Sequence, residues 1–457
     1  MNKKIIEIVK KVWKEVVEND DPSRYKKYIK KLPTDLLLKS AEEYGTPQYI
    51  LDKNQLQKRA RLFLDTFKKH IPNIEAYYAF KCNDFPVLIK TLKQEGFYAD
   101  VAGIFELQLA LKLGFEKIVF TSPGKSYEEI DLAAKNGVII NIDNDEELEE
   151  LIKLKKPGLV SIRINPSNSV TKVWSKFGYS LDQLKDVWQV IKRNNYLKLM
   201  GLHFHCSWNL NPSRYVENIR LIGTYLKNNI SKEDLESLEF FNIGGGYFAE
   251  DIAIVNKFGL KADLINMVKE YEKFECDDFD PHKFKIEVVE PIEKFALEIS
   301  AALKENIQNL IPNIKIFCEP GRYIATHSTS ILLKVKSVKE DCVIVNGGIN
   351  MVGDFRFEEY AFAPIVNLSN FSHQLNKKTI YGPLCDPSDL WGYSYYGADI
   401  KKGDILAVLH QGAYTLTCAW RFIKPIPPYI FIEGNEIILG KSSEKFEDRY
   451  ANFKFID

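Results

Sequence analysis

Short apolar runs alternate with amphipathic stretches along the chain from about residue 47 onward. The runs are rich in β-branched and aromatic residues and have the length of strands, whereas the stretches repeat apolar residues at the spacing of a helix. The strands predicted in this part of the chain are 76–80, 98–101, 118–121, 137–142, 160–165, 199–205, 238–243 and 314–319. Helical patterns separate them, which is the arrangement of βα units with parallel strands.

Eight such units within about 270 residues favour an α/β fold with a closed (β/α)8 barrel of the TIM type, with an open doubly wound sheet as the alternative. After Arg322 the chain reads as short strands separated by turn residues, at 331–335, 342–345, 404–409 and 429–433. This pattern predicts a separate, mostly antiparallel β domain.

The expected organisation follows from these patterns. We expect an N-terminal helical extension over 1–43, a barrel over 44–325 and a C-terminal β domain over 326–457, with an N-terminal strand near 47–52. A charged, Phe-rich stretch over 247–290 is predicted to be an insertion after the seventh barrel strand.

Composition excludes several classes of function. The 62 basic and 62 acidic side chains leave a formal net charge of zero, so nucleic-acid binding is not expected as a main function. No apolar run reaches the ~20 residues of a membrane span. Seven cysteines without a C-x-x-C pair predict neither a disulfide framework nor a structural zinc site. We therefore expect a cytoplasmic protein in a reducing compartment.

Near the N-terminus, apolar residues from Ile5 to Val17 recur at helical spacing among lysines. The segment lacks the continuous apolar stretch of a signal peptide. It predicts an amphipathic helix packed against the protein, with a basic helix on a membrane surface as the alternative.

Two predicted strands end in side chains that suit catalysis, at the barrel end where active sites of this fold lie. Lys81 follows the strand at 76–80, and partial desolvation there would make its amine a nucleophile toward carbonyls; a lysine extending into solvent is the ordinary alternative. His203 and His205 share one face of the strand at 199–205. They could bind a metal, stack on a planar cofactor or make core hydrogen bonds, and no H-E-x-x-H or Cys/Asp set completes a metal site.

Two further strand ends carry polar or glycine-rich motifs. Gly244, Gly245 and Gly246 follow the strand at 238–243, where they serve as a plain turn or expose backbone N–H groups to a phosphate. Glu319 ends the last barrel strand, and Arg322 follows three residues later. The acid could bind a ring nitrogen and the guanidinium a phosphate or carboxylate, unless the two form an ion pair at the strand end.

The predicted β domain contains two compact loop segments, at 382–386 and 412–414. Each one by itself indicates no more than a turn.

Together and in this order, the six segments resemble motifs of the fold-type III pyridoxal-phosphate decarboxylases, the ornithine and diaminopimelate decarboxylase family, whose barrel is of the alanine racemase type. The similar region runs from about Tyr44 to Lys424, about four fifths of the chain. The matching motifs are Y-A-F-K-C-N at 78–83, H-F-H at 203–205, I-G-G-G at 243–246, E-P-G-R at 319–322, G-P-L-C-D at 382–386 and G-A-Y at 412–414.

The resemblance implies a barrel that binds pyridoxal 5'-phosphate. Lys81 would hold this cofactor as a Schiff base, and His205 would stack on its ring. Glu319 would keep the ring nitrogen protonated. The residues that would bind the phosphate are Gly244, Gly245, Gly246, Arg322 and Tyr414.

The resemblance also implies a homodimer with shared active sites. Cys385 and Asp386 would enter the site of the neighbouring subunit, the cysteine to return a proton after CO2 leaves and the acid to recognise the substrate. Arg322 and Tyr414 would contact the substrate as well. No metal is expected.

The implied function is decarboxylation of an amino acid of the diaminopimelate, ornithine or lysine type, or of a conjugated, carrier-linked amino acid. Asp386 resembles the ornithine-type branch, but Gly347 stands where those enzymes carry a second acid, and the arginine of the diaminopimelate branch is displaced to Arg356. The alternatives are a racemase on the same fold and a catalytically dead regulatory relative. Racemases usually place an arginine at the ring nitrogen, and a dead relative would lack Lys81, Glu319 or Cys385.

Overall fold

The structure is a computed structural model that describes residues 3–4, 7, 25–166, 176–251, 253–254, 285–286, 289–353 and 361–455. The predicted amphipathic helix near the N-terminus lies outside the described residues, as do Arg356 and most of the predicted insertion over 247–290. The chain forms two compact units. One contains residues 56–248 and 289–325, and the other contains residues 1–55, 249–288 and 326–457.

The first unit is a closed parallel barrel, as the alternating pattern predicts. Strand β1 (Gln48–Asp52) precedes it in the chain and belongs to the other unit, as do the short β9 (Ala253–Ile254) and β10 (Lys285–Ile286). The barrel strands are β2 (Ile74–Ala79), β3 (Tyr98–Val101), β4 (Ile118–Thr121), β5 (Ile139–Ile142), β6 (Gly158–Ile164), β7 (Leu197–Phe204), β8 (Phe240–Asn242) and β11 (Lys315–Cys318). Pairing of β11 with both β8 and β2 closes the barrel.

Helices follow or connect the barrel strands. Their bounds are Lys53–His70, Pro86–Gln94, Ile104–Lys112, Tyr127–Lys135, Asp145–Leu154, Leu181–Lys192, Ser213–Asn229, Lys232–Glu236, Ile292–Leu303 and Arg322–Ala325. Local sequence fixes several of their first turns: Ser126 and Glu129 form a capping box, and the Asn144 side chain accepts the N–H of Glu147.

Aromatic side chains fill part of the barrel interior. Tyr77, Phe240 and Phe317 are buried with Val119 and Met200 in one cluster. The Phe240 and Phe317 rings stack with centroids 4.2 Å apart. Because β2, β8 and β11 continue from this cluster, the next residues of these strands reach the carboxyl end of the barrel.

The second unit contains a nine-stranded, mostly antiparallel sheet, as predicted for the C-terminal part of the chain. Its strands, besides β1, are β12 (Thr329–Val338), β13 (Cys342–Val345), β15 (Ile365–Asn367), β16 (Leu375–Tyr381), β17 (Leu390–Tyr396), β18 (Ile405–Val408), β19 (Tyr429–Glu433) and β20 (Glu436–Lys441). Strand β1 lies between β12 and β19, antiparallel to the first and parallel to the second. The short β14 (Ala361–Phe362) pairs with β9 in a separate three-stranded sheet.

Helices Lys26–Ile29 and Thr34–Tyr44 bury apolar side chains against the large sheet. Ile29 and Leu37 pack in one core with Ile50 of β1 and Leu332 of β12. A short helix, Phe446–Tyr450, lies near the C-terminus. In the described parts of the chain, no helix combines the length and the apolar character that crossing a membrane requires.

Candidate active site

Lys81 lies directly after β2, in a short 3-10 turn over Phe80–Cys82. Its Nζ is 2.7 Å from Oδ2 of Asp100, which is contributed by the neighbouring strand β3. The lysine side chain is 35 % exposed, whereas the Asp100 carboxylate is fully buried. The predicted lysine is therefore partly accessible to solvent and is hydrogen-bonded to a buried acid.

The surroundings of Asp100 disfavour the ionised form of its carboxyl group. Burial and the charge of Glu319 raise its pKa to about 7, although Lys81 opposes the shift. Burial also raises the pKa of Glu106, which accepts the N–H of Ala102 and feels the lysine charge. Lys81 therefore lies beside one carboxyl group, that of Asp100, whose pKa is close to neutral pH.

Glu319 follows β11 and is buried. Its Oε1 accepts a hydrogen bond from Asn242 Nδ2 at 2.8 Å, and its Oε2 is 3.3 Å from His203 Nε2 and 3.8 Å from His205 Nδ1. Arg322 is not among these partners, so the contacts of Glu319 are not those of the strand-end ion pair considered above. Instead, its partners come from the ends of β7 and β8.

Burial and polar neighbours act in opposite directions on this group. Burial raises the pKa of Glu319, but His203, whose Nε2 is within hydrogen-bonding distance, and the charge of Lys81 outweigh it and hold the pKa well below its usual range. Burial lowers the pKa of His203, and it lowers the pKa of His205 to about 4, against the attraction of Glu319. At neutral pH the site therefore contains an ionised glutamate beside two neutral imidazoles.

His203 and His205 lie on the same side of the barrel, as their alternation predicts. His203 is buried in β7, and His205 follows the end of that strand. The His205 Nδ1 accepts the N–H of Gly245 at 3.2 Å, while its Nε2 is 3.2 Å from Ser207 Oγ. Both ring nitrogens of His205 are thus engaged, which fixes the orientation of the ring.

The ligand atoms of His203, His205 and Glu319 lie within 4.8 Å of one another, a spacing that could hold a metal ion. The sequence contains no motif for such a site, but the fold brings Glu319 to both rings. Since Glu319 also accepts a hydrogen bond from Asn242, the same three residues can equally be described as a buried carboxylate held by polar neighbours, without a metal.

The glycine loop packs against the backbone of the neighbouring strand ends. Gly244 and Gly246 have φ values of +67° and +96°. A Cβ atom at Gly244, Gly245 or Gly246 would collide with the carbonyl oxygen of Phe204, Glu319 or Cys206, respectively. Only glycine fits this turn, both for its backbone conformation and for its close approach to the other strands.

The amides of this loop fit a phosphate, although not in the number that the sequence indicates. The Gly244 N–H donates to Asn242 Oδ1, and the Gly245 N–H donates to His205. Within the described part of the chain, the amides of Gly246 and Tyr247 make no hydrogen bond. These two successive N–H groups and the guanidinium of Arg322 are donors that could bind an anion.

Arg322 begins the short helix Arg322–Ala325 and is half-buried. Its guanidinium lies over the ring of Phe248, 5.2 Å from the centroid. Phe248 follows the glycine loop by two residues, so this contact places the arginine next to the loop.

The other three predicted site residues belong to the second unit. Cys385 is exposed. The Asp386 carboxylate accepts the hydroxyl and the N–H of Ser388, and these bonds lower its pKa, so Asp386 is ionised at neutral pH. Tyr414 has a φ of +56°, an uncommon conformation for a residue with a side chain.

Sequence reasoning missed several residues of the site. Asp100 is a single polar residue within an apolar strand, and no motif marks it. Asn242 directly precedes the I-G-G-G motif, but the motif assigns it no role. Asp389 was also missed as a structural support: its buried carboxylate accepts the N–H groups of Ile349 and Leu384 and holds the segment that carries Cys385. The signal available for Asp100 and Asn242 was a polar residue inside an apolar run, whereas Asp389 lies in a polar stretch and had no such signal.

Two comparisons by sequence identify a family and relatives that match most of the chain. The family described as pyridoxal-dependent decarboxylase, pyridoxal binding domain, matches residues 54–326, and its C-terminal sheet domain matches residues 323–412. A diaminopimelate decarboxylase of Methanothermobacter thermautotrophicus is 24% identical over 431 residues, covering 89% of this chain and 91% of the relative. An L-glutamyl-[BtrI acyl-carrier protein] decarboxylase of Niallia circulans is 28% identical over 402 residues, covering 82% and 86%.

Solved structures share the fold. The diaminopimelate decarboxylase of M. jannaschii in complex with L-lysine aligns with a TM-score of 0.75 at 22% identity, covering 92% of this chain and 94% of that one. A lysine/ornithine decarboxylase of Vibrio vulnificus complexed with putrescine aligns with a TM-score of 0.68 at 24% identity, covering 88% and 98%.

Proposed function

Because the chain belongs to the pyridoxal-dependent amino-acid decarboxylases, we propose that it removes the α-carboxylate of a diamino acid of the diaminopimelate, ornithine or lysine type, with Lys81 and Glu319 at the centre of the site. The observation that carries the assignment of residues is the buried, ionised Glu319, which Asn242 and His203 hold beside His205 and near the charge of Lys81.

The described residues fit pyridoxal 5'-phosphate. Lys81 is the nucleophile that would hold its aldehyde carbon, and the carboxylate of Asp100, which accepts a hydrogen bond from Nζ at 2.7 Å, would take a proton from the lysine ammonium. The Gly246 and Tyr247 amides and Arg322 would bind its phosphate. Bound in this way, the cofactor supplies an electron sink for the electrons left when the carboxylate leaves as CO2.

Glu319 and His205 have complementary roles in this proposal. The low pKa of Glu319 keeps a negative charge available to hold a proton on a pyridine nitrogen. His205 would stack on the ring, and its pKa of about 4 keeps the imidazole neutral at physiological pH. A neutral ring avoids repulsion with a protonated pyridine.

Asp386 and Cys385 would complete the site on the substrate side. The ionised Asp386 carboxylate suits the distal ammonium of a diamino acid. The exposed Cys385 thiol suits return of a proton to the carbon that has lost CO2. In line with the resemblance to the family, we further propose that the enzyme is a homodimer in which each subunit gives Cys385 and Asp386 to its partner's site. Tyr414 would bind phosphate and substrate from the same unit.

The relatives support the choice of substrate. Several of them are diaminopimelate decarboxylases, and one is a probable ornithine decarboxylase of Dictyostelium discoideum. The Niallia circulans relative acts on a carrier-linked glutamyl group, which lacks a distal ammonium. A test of substrate must therefore compare both classes.

The test is CO2 release by the holoenzyme from meso-diaminopimelate, L-ornithine, L-lysine, L-arginine and an L-glutamyl pantetheine thioester. We expect one diamino acid to be the best substrate, and we expect Asp386→Asn to raise its KM about tenfold or more, as for loss of a charge-assisted hydrogen bond. Preference for the thioester would contradict the proposed substrate.

Borohydride reduction of the holoenzyme tests the cofactor attachment. The reduced adduct should map to the peptide that contains Lys81, and the Lys81→Ala variant should form none. An adduct on another lysine would contradict the assignment of the site.

A further inference from the structure

The carbonyl groups of the glycine loop are all anchored to the protein. Glu319 N–H donates to the Gly244 oxygen at 2.9 Å. The Tyr215 hydroxyl donates to the Gly245 oxygen at 2.6 Å. Asn209 donates to the Gly246 oxygen from its backbone N–H at 3.0 Å and from Nδ2 at 3.2 Å.

Because the trans peptide is planar, a hydrogen bond that holds a carbonyl group also fixes the direction of the next residue's N–H. The C=O of one residue and the N–H of the next lie in one plane and point in opposite directions. Tyr215, by holding the Gly245 oxygen, directs the Gly246 N–H away from itself. Asn209, by holding the Gly246 oxygen, does the same for the Tyr247 N–H. These are the two loop amides that make no hydrogen bond within the described residues.

We propose that the Tyr215 hydroxyl, assisted by Asn209, is a positioning group that aims the Gly246 and Tyr247 amides at the phosphate of the cofactor. The proposal rests on the proposed function, because it assigns the phosphate to this loop. Neither Tyr215 nor Asn209 belongs to one of the six sequence motifs of the site.

The hydroxyl and the ring of Tyr215 make different contacts, so their roles can be tested separately. The residue is fully buried in helix Ser213–Asn229, and its ring stacks on that of Tyr247 with centroids 5.1 Å apart and an interplanar angle of 17°. Burial raises the pKa of its phenol, so the hydroxyl remains a hydrogen-bond donor. Tyr215→Phe keeps the ring and its stacking and removes the hydroxyl, with its bond to the Gly245 oxygen.

The experiment compares two ligands of the apoprotein, pyridoxal 5'-phosphate and pyridoxal, by absorbance titration. Both can react with Lys81, but only one carries the phosphate. Tyr215→Phe should weaken binding of pyridoxal 5'-phosphate about tenfold, the scale of one mispositioned hydrogen bond, and should leave pyridoxal binding unchanged. Tyr225→Phe is the matched control, since Tyr225 is on the same helix and partly exposed, and it should bind both ligands as the wild type does.

The ratio of the two affinities decides between positioning and general damage. Equal weakening of both ligands, or no weakening of either, would overturn the role of Tyr215 while leaving the decarboxylase assignment intact. A wild-type protein that binds pyridoxal as tightly as its phosphate would instead contradict the phosphate site itself. If Tyr215→Phe does not fold, Asn209→Ala serves as the second variant, and it should show the same phosphate-specific loss.

Discussion

At the scale of single residues, Glu319 shows how a buried carboxylate stays ionised. Burial alone would neutralise it, but Asn242 and His203 donate to it or lie within hydrogen-bonding distance, and Lys81 adds a favourable charge. Contacts and charge from the ends of three strands offset the unfavourable free energy of burying this carboxylate. A group held in this way is suited to stabilise a positive charge placed next to it.

Replacing Glu319 with glutamine tests this role. Glu319→Gln should still bind the cofactor but lower kcat by about two orders of magnitude, because a neutral amide cannot stabilise a protonated ring nitrogen. Steady-state kinetics of the fully loaded variant give the measurement. Glu236→Gln, at an exposed surface ion pair, is the control and should turn over normally. Near-normal turnover by Glu319→Gln would remove the residue from the mechanism.

His205 gives the site a predictable dependence on pH. Its pKa is about 4 in the folded protein and 6.5 in an unfolded chain. The stability that its neutral ring contributes is therefore fully present above pH 6.5 and is lost as the pH falls through 4.

Thermal unfolding of the apoprotein between pH 7 and pH 4 measures this contribution. The wild type should lose more stability over this range than His205→Gln, which has no imidazole to protonate. His373→Gln replaces an exposed histidine, and its profile should follow the wild type. Parallel profiles for the wild type and His205→Gln would contradict the predicted linkage.

Motifs locate some residues of the site, and tertiary structure locates the rest. Lys81, His205 and Glu319 each end an apolar strand, so their convergence at one end of a barrel follows from the pattern. Asp100 contacts Lys81 only because β3 lies next to β2, and Asn242 reaches Glu319 only because β8 pairs with β11. Such contacts depend on which strands are neighbours, which a local motif does not encode.

At the scale of elements, apolar runs were good predictors of the barrel strands and poorer predictors of the β domain. Each predicted barrel strand overlaps an observed one. The aromatic segment Trp391–Tyr396 has the sequence pattern of a loop, but it forms most of β17, with Trp391 and Tyr393 buried. Its alternation is masked because β17 is buried along most of its length between β15 and β16.

Gly223 shows how packing between elements can reverse an intrinsic preference. It lies within helix Ser213–Asn229, where alanine normally stabilises by about 1 kcal/mol over glycine. A Cβ at Gly223 would be 2.5 Å from the carbonyl oxygen of Asn306, in the adjoining π-helical turn. Because overpacking typically costs about 1–3 kcal/mol, the steric cost should exceed the gain.

Chemical unfolding measures this balance. Gly223→Ala should lower the free energy of unfolding by about 1 kcal/mol. Thr224→Ala, at the exposed neighbouring position, should be neutral or slightly stabilising. A stabilised Gly223→Ala protein would show that the two elements can separate without cost.

At the scale of the whole molecule, the two compact units are not continuous segments of sequence. Residues 1–55 join 326–457, and β1 pairs with β12 and β19 although about 280 and 380 residues separate them. Periodicity reports local structure, so it predicts that β1 is a strand but not which strands are its neighbours. The same limit applies to assembly, since no local pattern reports which subunit receives Cys385.

Complementation between two inactive variants tests the shared-site dimer. Lys81→Ala and Cys385→Ala homodimers should each be nearly inactive, because each lacks one essential group in both sites. If the subunits exchange freely at equal concentrations, about half of the dimers are mixed, as twofold symmetry requires. In each mixed dimer one site carries both defects and the other carries neither, so the mixture should regain about a quarter of the wild-type activity. Native mass spectrometry of the mixture establishes the exchange. If the mixed dimers form and no activity returns, Cys385 acts within its own chain, since every site would then contain one defect.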